Sequence, residues 1–203
     1  MSASLRSFGL SVGGLRGAKY DRFKEIKEQL SLLSNQFSKN VLQSTNSWKK
    51  TVSANDLKGY GADEFSKVKK GDHYEISLQV PVYIDLMTYA DSSDLREEVY
   101  KAYISRASDI GITSKEFNNR PIMDEILKLR SEMSELVGFS NYAEYSTQSK
   151  MVESPDAVID FLNNLIELST HQAKSELIDL ESFAGHPLMP WDLMYYSEKL
   201  KQK

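Results

Sequence analysis

The chain has 203 residues, of which 40% are hydrophobic and 27% are charged, and its formal net charge is −4 at pH 7. This composition is typical of a folded protein with a sizeable core, and it excludes a disordered chain. The mild negative charge argues against a nucleic-acid binder or an anionic-membrane binder. The chain has no cysteine, which excludes a disulfide scaffold, a thiolate metal site and a cysteine nucleophile.

The first ten residues, MSASLRSFGL, contain no basic region followed by a long apolar run. We therefore predict no signal peptide. No stretch of the sequence reaches the roughly 18 consecutive apolar residues of a membrane span. Together these features predict a cytoplasmic protein with neither membrane nor nucleic-acid partners.

In the first half, apolar residues recur at steps of three and four and predict a helix from about Lys19 to Leu42, which could continue to Trp48. Residues 49–73 are polar and interrupted by glycines, so we predict a loop region with at most one short helix. The alternation from Tyr74 to Val80 predicts a strand with one buried face. Residues 82–89 fit either a strand or the start of a helix.

In the second half, a polar segment at 91–93 offers several helix caps, and a helix should run from Asp94 to about Ser108. Pro121 opens a further helix that Gly138 ends. Ser154 and Pro155 repeat this start for a helix that reaches about residue 183. Its predicted buried residues are Val158, Phe161, Leu162, Leu165, Ala173, Leu177 and Leu180. A last helix begins near Trp191, with Asp192 as its possible cap.

These elements predict a mainly α protein of long packed helices with a minor strand segment near 74–80. We treat residues 1–203 as one partial helical region. Its parts are a long helix (1–48), a loop and strand segment (49–91) and a helical bundle (92–203).

The sequence is poor in catalytic signatures. A metalloprotease helix carries two histidines one turn apart, as HExxH, whereas His73, His171 and His186 are all more than ten residues from one another. Each fits a surface residue or one with a local hydrogen bond. Ser11 lacks the first glycine of a Gly-x-Ser-x-Gly elbow, and the segment Gly59–Gly61 fits a turn rather than a phosphate loop.

The charged and aromatic pairs are equally unspecific. The carboxylates Glu97-Glu98 and those of 179–181 fit exposed helical faces, and the basic segment 67–70 fits a solvated turn. Tyr142 with Tyr145, and Tyr195 with Tyr196, fit either a core or a ligand groove. From the residues alone we assign no catalytic, cofactor-binding or metal-binding residue.

Five segments, however, resemble the thimet oligopeptidase family of zinc endopeptidases, and they occur in the family's order and with similar spacing. They are LREEVYKAYISRASD (95–109), NNRPIMDEILKLR (118–130), GFSNYAEYS (138–146), KMVESP (150–155) and PWDLMYYSEK (190–199). With the first helix, the resemblance covers nearly the whole chain. Residues 183–187 depart from it, because the linker there is shorter than in the family.

The resemblance implies a mostly helical fold with two lobes beside a deep channel that admits short, unstructured peptides. In the family, two histidines of HExxH and a later glutamate hold zinc, and the motif glutamate activates a water molecule. This sequence has no HExxH. We therefore carry over no catalytic or zinc residue and expect the chain alone to bind no zinc and to be inactive.

Two hypotheses follow. In the first, the chain is an interior fragment of a zinc metalloendopeptidase that hydrolyses short oligopeptides; it contributes scaffold and channel wall, and its partner is the remainder of the peptidase chain. In the second, it is a stand-alone, non-catalytic helical module that binds peptides or proteins. The residues that either a channel or a core could use are Tyr103, Arg106, Tyr142, Trp191 and Tyr195.

Overall fold

A computed structural model describes residues 15–112 and 115–203 of the chain. The predictions made for the amino-terminal segment and for Ser11 lie outside these residues. The α-helices are α1 (Ala18–Ser47), α2 (Ala62–Val68), α3 (Val80–Tyr89), α4 (Ser93–Ile104), α5 (Arg120–Leu136), α6 (Tyr142–Thr147), α7 (Pro155–Ala184) and α8 (Leu193–Lys201), with a 3₁₀ turn at Lys115–Phe117. The predicted mainly α class is confirmed.

Three short strands form the sheet that the described residues contain: β1 (Lys49–Val52), β2 (Lys69–Lys70) and β3 (His73–Ser77). Their order is β1-β3-β2 and both pairings are antiparallel. The predicted strand near 74–80 is confirmed, although it ends at Ser77. Strand β1 falls where a loop was predicted, because three of its four residues, KKT, are polar and only Val52 is buried.

The segment after β3 turns at once into α3. Pro81 lies in its first turn, where the missing proline N–H leaves no hydrogen bond unmade. The ambiguity between strand and helix at 82–89 is therefore resolved as a helix, which buries Leu86 and Met87.

The Cα positions divide the chain into two compact units. The first unit comprises Met1–Phe37 and Arg120–His171. Its core is a small cluster in which Phe23 and Ile26 from α1 meet Leu129 and Met133 from α5. These apolar positions are among those that the helical periodicity predicts.

An ion pair joins the same two helices. Arg22 donates from Nε to Glu132 Oε1 at 2.6 Å and from its second nitrogen to Oε2 at 2.7 Å. This two-point contact lowers the pKa of the Glu132 carboxyl below its ordinary value, mainly through the hydrogen bonds from Arg22. It fixes the register of α1 against α5, because a guanidinium and a carboxylate pair in one plane.

The second unit comprises Ser38–Asn119 and Gln172–Lys203. The sheet, the end of α2, and helices α3 and α4 enclose its core. The buried members of this core are Val52, Leu57, Tyr60, Val68, Ile76, Leu78, Leu86, Met87, Ala90, Leu95, Val99 and Ala102. The spacing of apolar residues predicts an apolar face of α4 made of Leu95, Val99, Ala102, Tyr103 and Ala107. Burial is confirmed for Leu95, Val99 and Ala102 within the helix.

Helix α1 continues past Leu42 because its polar end residues bond locally. The hydroxyls of Thr45 and Ser47 donate to the carbonyls of Val41 and Ser44 at 2.8 and 3.0 Å. The Ser44 hydroxyl also accepts from the N–H of Ala107 at 2.9 Å. Ala107 has φ +51°, an unfavourable conformation for a residue with a Cβ, and its backbone is held there by this bond.

Three predicted helix ends have the expected contacts. The Ser92 hydroxyl accepts from the N–H of Leu95 at 3.3 Å at the start of α4. The Ser154 hydroxyl accepts from the N–H of Ala157 at 3.1 Å before α7. The N–H of Phe139 donates to the Ser134 carbonyl at 3.0 Å after α5, so the chain folds back there and the helix ends near Gly138 as predicted.

Helix α7 has the predicted bounds but not the predicted burial. Leu180 is its one buried residue, and most of the apolar residues expected inside are exposed, among them Phe161, Leu162, Leu165 and Leu177. The periodicity identified an apolar face of α7 correctly. A periodic face does not show, however, that the residues that bury it belong to the same chain. Within the described residues, no helix is long and apolar enough to cross a membrane.

Candidate functional site

A densely connected polar group in the described part of the second unit is the Arg96 side chain, which is 1% exposed. Its guanidinium donates to Asp192 Oδ1 at 2.6 Å and to the carbonyls of Ala90, Asp91 and Trp191 at 2.6, 3.2 and 3.1 Å. A buried cation is tolerated only when its donors are satisfied. Here the fork of the guanidinium ties α4 to the turn before α8.

The Asp192 carboxylate is buried and accepts hydrogen bonds on both oxygens. Besides Arg96, it accepts from the Ser93 hydroxyl at 3.1 Å and from the N–H of Met189 at 3.1 Å. Burial alone would raise the pKa of Asp192, but the hydrogen bonds from Arg96, Met189 and Ser93 outweigh burial and lower the pKa. Asp192 occupies the predicted N-cap position of α8, but its side chain makes no cap hydrogen bond there and is occupied with the ion pair instead.

Tyr195 covers the other side of the guanidinium, with its ring centroid 4.1 Å from the central carbon of Arg96. Its hydroxyl donates to Asp91 Oδ1 at 2.8 Å. Burial and this hydrogen bond raise the pKa of Tyr195 to about 12. We call the group of Arg96, Asp192 and Tyr195 the buried Arg96 cluster.

A close backbone approach borders this cluster. The N–H of Asp91 donates to the Lys58 carbonyl at 2.8 Å, and the neighbouring Gly59 has φ +96°. A Cβ on Gly59 would lie 1.9 Å from the carbonyl oxygen of Tyr89. Only glycine fits this position without displacing the backbone.

A second aromatic group lies in the same unit. The rings of Tyr83 and Tyr103 stack with centroids 3.7 Å apart, and the Arg106 guanidinium lies 3.6 Å from the Tyr103 ring. Arg106 also donates to Thr45 Oγ1 at 2.9 Å. The guanidinium is thus held flat against the ring and is already partnered.

The five residues that could face a channel or a core fall into four environments. Tyr103 and Arg106 contact each other, and Tyr195 contacts Arg96. Trp191 lies beside Tyr100, with ring centroids 5.9 Å apart. Tyr142 belongs to the first unit and packs on that unit's core cluster. Packing accounts for the described contacts of all five.

The three histidines have different surroundings. His73 is exposed in β3, and His171 is exposed on α7. His186 has Nε2 3.0 Å from the Tyr196 hydroxyl and Nδ1 2.8 Å from the Pro187 carbonyl. Across residues 15–112 and 115–203, no group of three or more histidine, aspartate or glutamate side chains is placed to hold a metal ion. The described residues therefore do not fit the zinc that the resemblance implies.

A shallow cavity of about 320 Å³ lies beside the sheet and is lined by Lys49, Lys67 and Lys70 among others. Two of these ammonium groups are paired, Lys49 with Glu75 at 2.9 Å and Lys67 with Asp85 at 2.6 Å. Lys69 and Lys70 form β2 instead of the predicted turn. The neutralised charges make this cavity a poor anion site.

The sequence motifs do not predict the buried Arg96 cluster, but the position of Arg96 in the helical pattern of α4 indicates that it is buried. At 100° per residue, Arg96 falls between Tyr103 and Ala107, inside the predicted apolar face of α4. A charged residue inside an apolar arc requires a buried partner of opposite charge. That signal predicts a pair for Arg96 but does not say which carboxylate supplies it.

Residues 86–203, more than half of the chain and both partners of the buried pair, match the family model of Peptidase family M3. The chain belongs to this peptidase family. It is 42% identical over 211 residues to oligopeptidase A of Salmonella typhimurium and, over the same length, to that of Escherichia coli. Each alignment covers 98% of this chain and 31% of the relative.

A probable cytosolic oligopeptidase A of Arabidopsis thaliana is 34% identical over 225 residues, which cover all of this chain and 31% of the plant protein. The chain thus spans about a third of the length of these curated relatives. The resemblance to the thimet oligopeptidase family is confirmed.

Proposed function

We propose that the chain is part of a zinc-dependent metalloendopeptidase that hydrolyses short oligopeptides, in which residues 1–203 form one helical region of scaffold and channel wall. The observation that carries this proposal is the 42% identity to oligopeptidase A over 98% of the chain. The zinc ligands and the catalytic base come from the rest of such a peptidase. The partners are the peptide substrate and the remainder of the peptidase chain.

The geometry supports a scaffold role. In the second unit, two buried and hydrogen-bonded charged groups join two segments of the family-matched region, Arg96 in α4 and Asp192 before α8. A guanidinium with four partners is not available to a substrate. The chemistry of this group is therefore positioning: it holds the turn at residues 189–192 against α4.

A cytoplasmic location is part of the proposal. The relatives named oligopeptidase A include bacterial proteins and a probable cytosolic plant protein, and another plant relative is named as organellar. Fractionation of the source cells with an antibody to this chain would test the location. Recovery in an organelle or a membrane fraction would contradict it.

The activity test compares the isolated chain with a chimera in which it replaces the matched 211 residues of Escherichia coli oligopeptidase A. A quenched fluorescent peptide is supplied with and without zinc. We expect no chelator-sensitive hydrolysis by the isolated chain and clear chelator-sensitive hydrolysis by the chimera. A matched control is the chimera carrying Glu97→Gln, a partly exposed position on α4, which should remain active.

Turnover by the isolated chain would refute the scaffold assignment. Saturable binding of the peptide by the isolated chain, together with a folded but inactive chimera, would instead favour a stand-alone binding module. Calorimetric titration of the isolated chain with the same peptide, made uncleavable, gives that second readout.

A further inference from the structure

The first half of α7 exposes an apolar face to solvent. Six large apolar side chains are between 44% and 72% exposed there: Ile159, Phe161, Leu162, Leu165, Ile166 and Leu168. At 100° per residue they occupy roughly half of the helix circumference. The opposite side contains Asp156, Asp160 and Glu167, so the helix is amphipathic and both of its faces are exposed to solvent.

The first unit has a core that does not use this face. Its buried cluster is built by Phe23 and Ile26 of α1 with Leu129 and Met133 of α5, and none of the six α7 residues belongs to it. A contiguous apolar face of this width is unusual on a protein surface and marks an interaction site. The amphipathic pattern therefore indicates that another apolar surface packs on this face, and the described residues do not provide that surface.

We propose that this face, residues 159–168 of α7, is the docking surface for the remaining part of an oligopeptidase A-like chain, through an apolar surface on that part. The inference rests on the proposed function and adds to it the place of contact. Helix α7 lies wholly inside the stretch that matches Peptidase family M3. The curated relatives carry about two thirds of their length beyond the region that this chain matches, which is ample material for a cover.

The first experiment measures side-chain accessibility by hydroxyl-radical footprinting and mass spectrometry. It compares the isolated chain with the chimera that contains it. Phe161 is 62% exposed and should be labelled strongly in the isolated chain. Phe23, which is 2% exposed, gives the background level of labelling in both samples. We expect the labelling of Phe161 to fall at least fivefold in the chimera. Equal labelling in the two samples would overturn the proposal.

The second experiment uses a matched pair of substitutions on α7. Leu165→Glu places a charge on the apolar face, and Asn163→Glu places the same charge on the polar side. Because Leu165 is exposed in the isolated chain, its substitution should leave that chain's melting temperature unchanged. In the chimera it should lower the melting temperature by about 5 °C or more, whereas Asn163→Glu changes neither. An equal effect of Leu165→Glu in both samples would overturn the proposal.

If the chimera fails to fold, the same pair of substitutions is made at the aligned positions of full-length Escherichia coli oligopeptidase A, with the same expected result. A second copy of this chain is the competing occupant. Concentration-dependent dimerisation of the isolated chain in sedimentation velocity, with Phe161 protected in the dimer, would assign the face to that copy and overturn the proposal. A chimera that protects Phe161 but does not hydrolyse peptide would refute the proposed function and leave this inference standing.

Discussion

Substitution of Asp192 by asparagine should be among the most damaging single changes in the second unit. Asparagine has nearly the same shape but no charge, so the guanidinium of Arg96 would remain buried without a counter-charge. It would keep three carbonyl acceptors, at 2.6, 3.2 and 3.1 Å. Removing one partner of a buried pair costs about 3–5 kcal/mol, and the surviving carbonyls place the expected loss near the lower end, about 3 kcal/mol.

Urea unfolding followed by far-ultraviolet circular dichroism measures this loss. A fall of about 3 kcal/mol is a large part of the 5–15 kcal/mol that stabilises a typical domain. Arg96→Met should cost more, because it also removes the donors to three carbonyls. The control Glu97→Gln alters the exposed pair with Lys101 and should change the free energy of unfolding by no more than about 0.5 kcal/mol.

The double variant provides the strictest test. Arg96→Met combined with Asp192→Asn removes both charges, so the loss should be smaller than the sum of the two single losses by about 1.5 kcal/mol or more. A loss below about 1 kcal/mol for Asp192→Asn alone, or strict additivity, would refute the view that this pair holds α4 to the turn before α8.

The same variant has a pH signature. The folded protein holds the pKa of Asp192 below its ordinary value of 3.8. At pH values near and below 3.8, the native state therefore binds fewer protons than the unfolded state. The free energy of unfolding is lost as the pH falls through the pKa that Asp192 has in the folded protein. From about pH 5 downwards, the unfolding free energy of the wild-type chain should fall more steeply than that of Asp192→Asn.

Three further outcomes are expected from unfolding measurements. Gly59→Ala would force a Cβ to 1.9 Å from a backbone oxygen and should cost more than about 2 kcal/mol, whereas Gly71→Ala, with open space around it, should cost about 1 kcal/mol. Ala107→Gly relieves a positive φ and should leave the free energy of unfolding nearly unchanged. Ala102→Gly, inside a helix, should lower it by about 1 kcal/mol or more. Equal losses for the two variants would refute backbone strain at Ala107. The pKa of Tyr195 is raised to about 12, so its stabilisation should be complete below pH 10 and lost as the pH rises towards 12, a slope that Tyr195→Phe should reduce.

Local chemistry made most of the helices predictable. The starts at Ser92 and Ser154 and the end at Gly138 depend on contacts within about five residues, and the sequence shows those residues directly. The short strand β1 was missed because it is a strand only through its pairing with β3. A short, mostly polar strand lacks the alternation of apolar and polar residues from which a strand is predicted.

The candidate site was less predictable, for a related reason. Arg96 and Asp192 were each within quoted motifs, but their pairing joins residues far apart in the chain, and several carboxylates were equally plausible partners. The burial of α7 was mispredicted because an amphipathic pattern specifies which face needs a cover and not which chain provides it. The family assignment needed neither of these facts, since it rested on the order of five segments.

The separation of the buried pair also affects the order of folding during synthesis. Arg96 and Asp192 are 96 residues apart, and at 5–20 residues per second the ribosome needs roughly 5–20 s to add that length. Throughout this interval the nascent α4 contains a cation on its apolar face and no carboxylate to neutralise it. The core of the second unit therefore cannot close fully on α4 until the PWD turn emerges, and a ribosome-bound chain that ends before residue 192 is the form on which a chaperone would act.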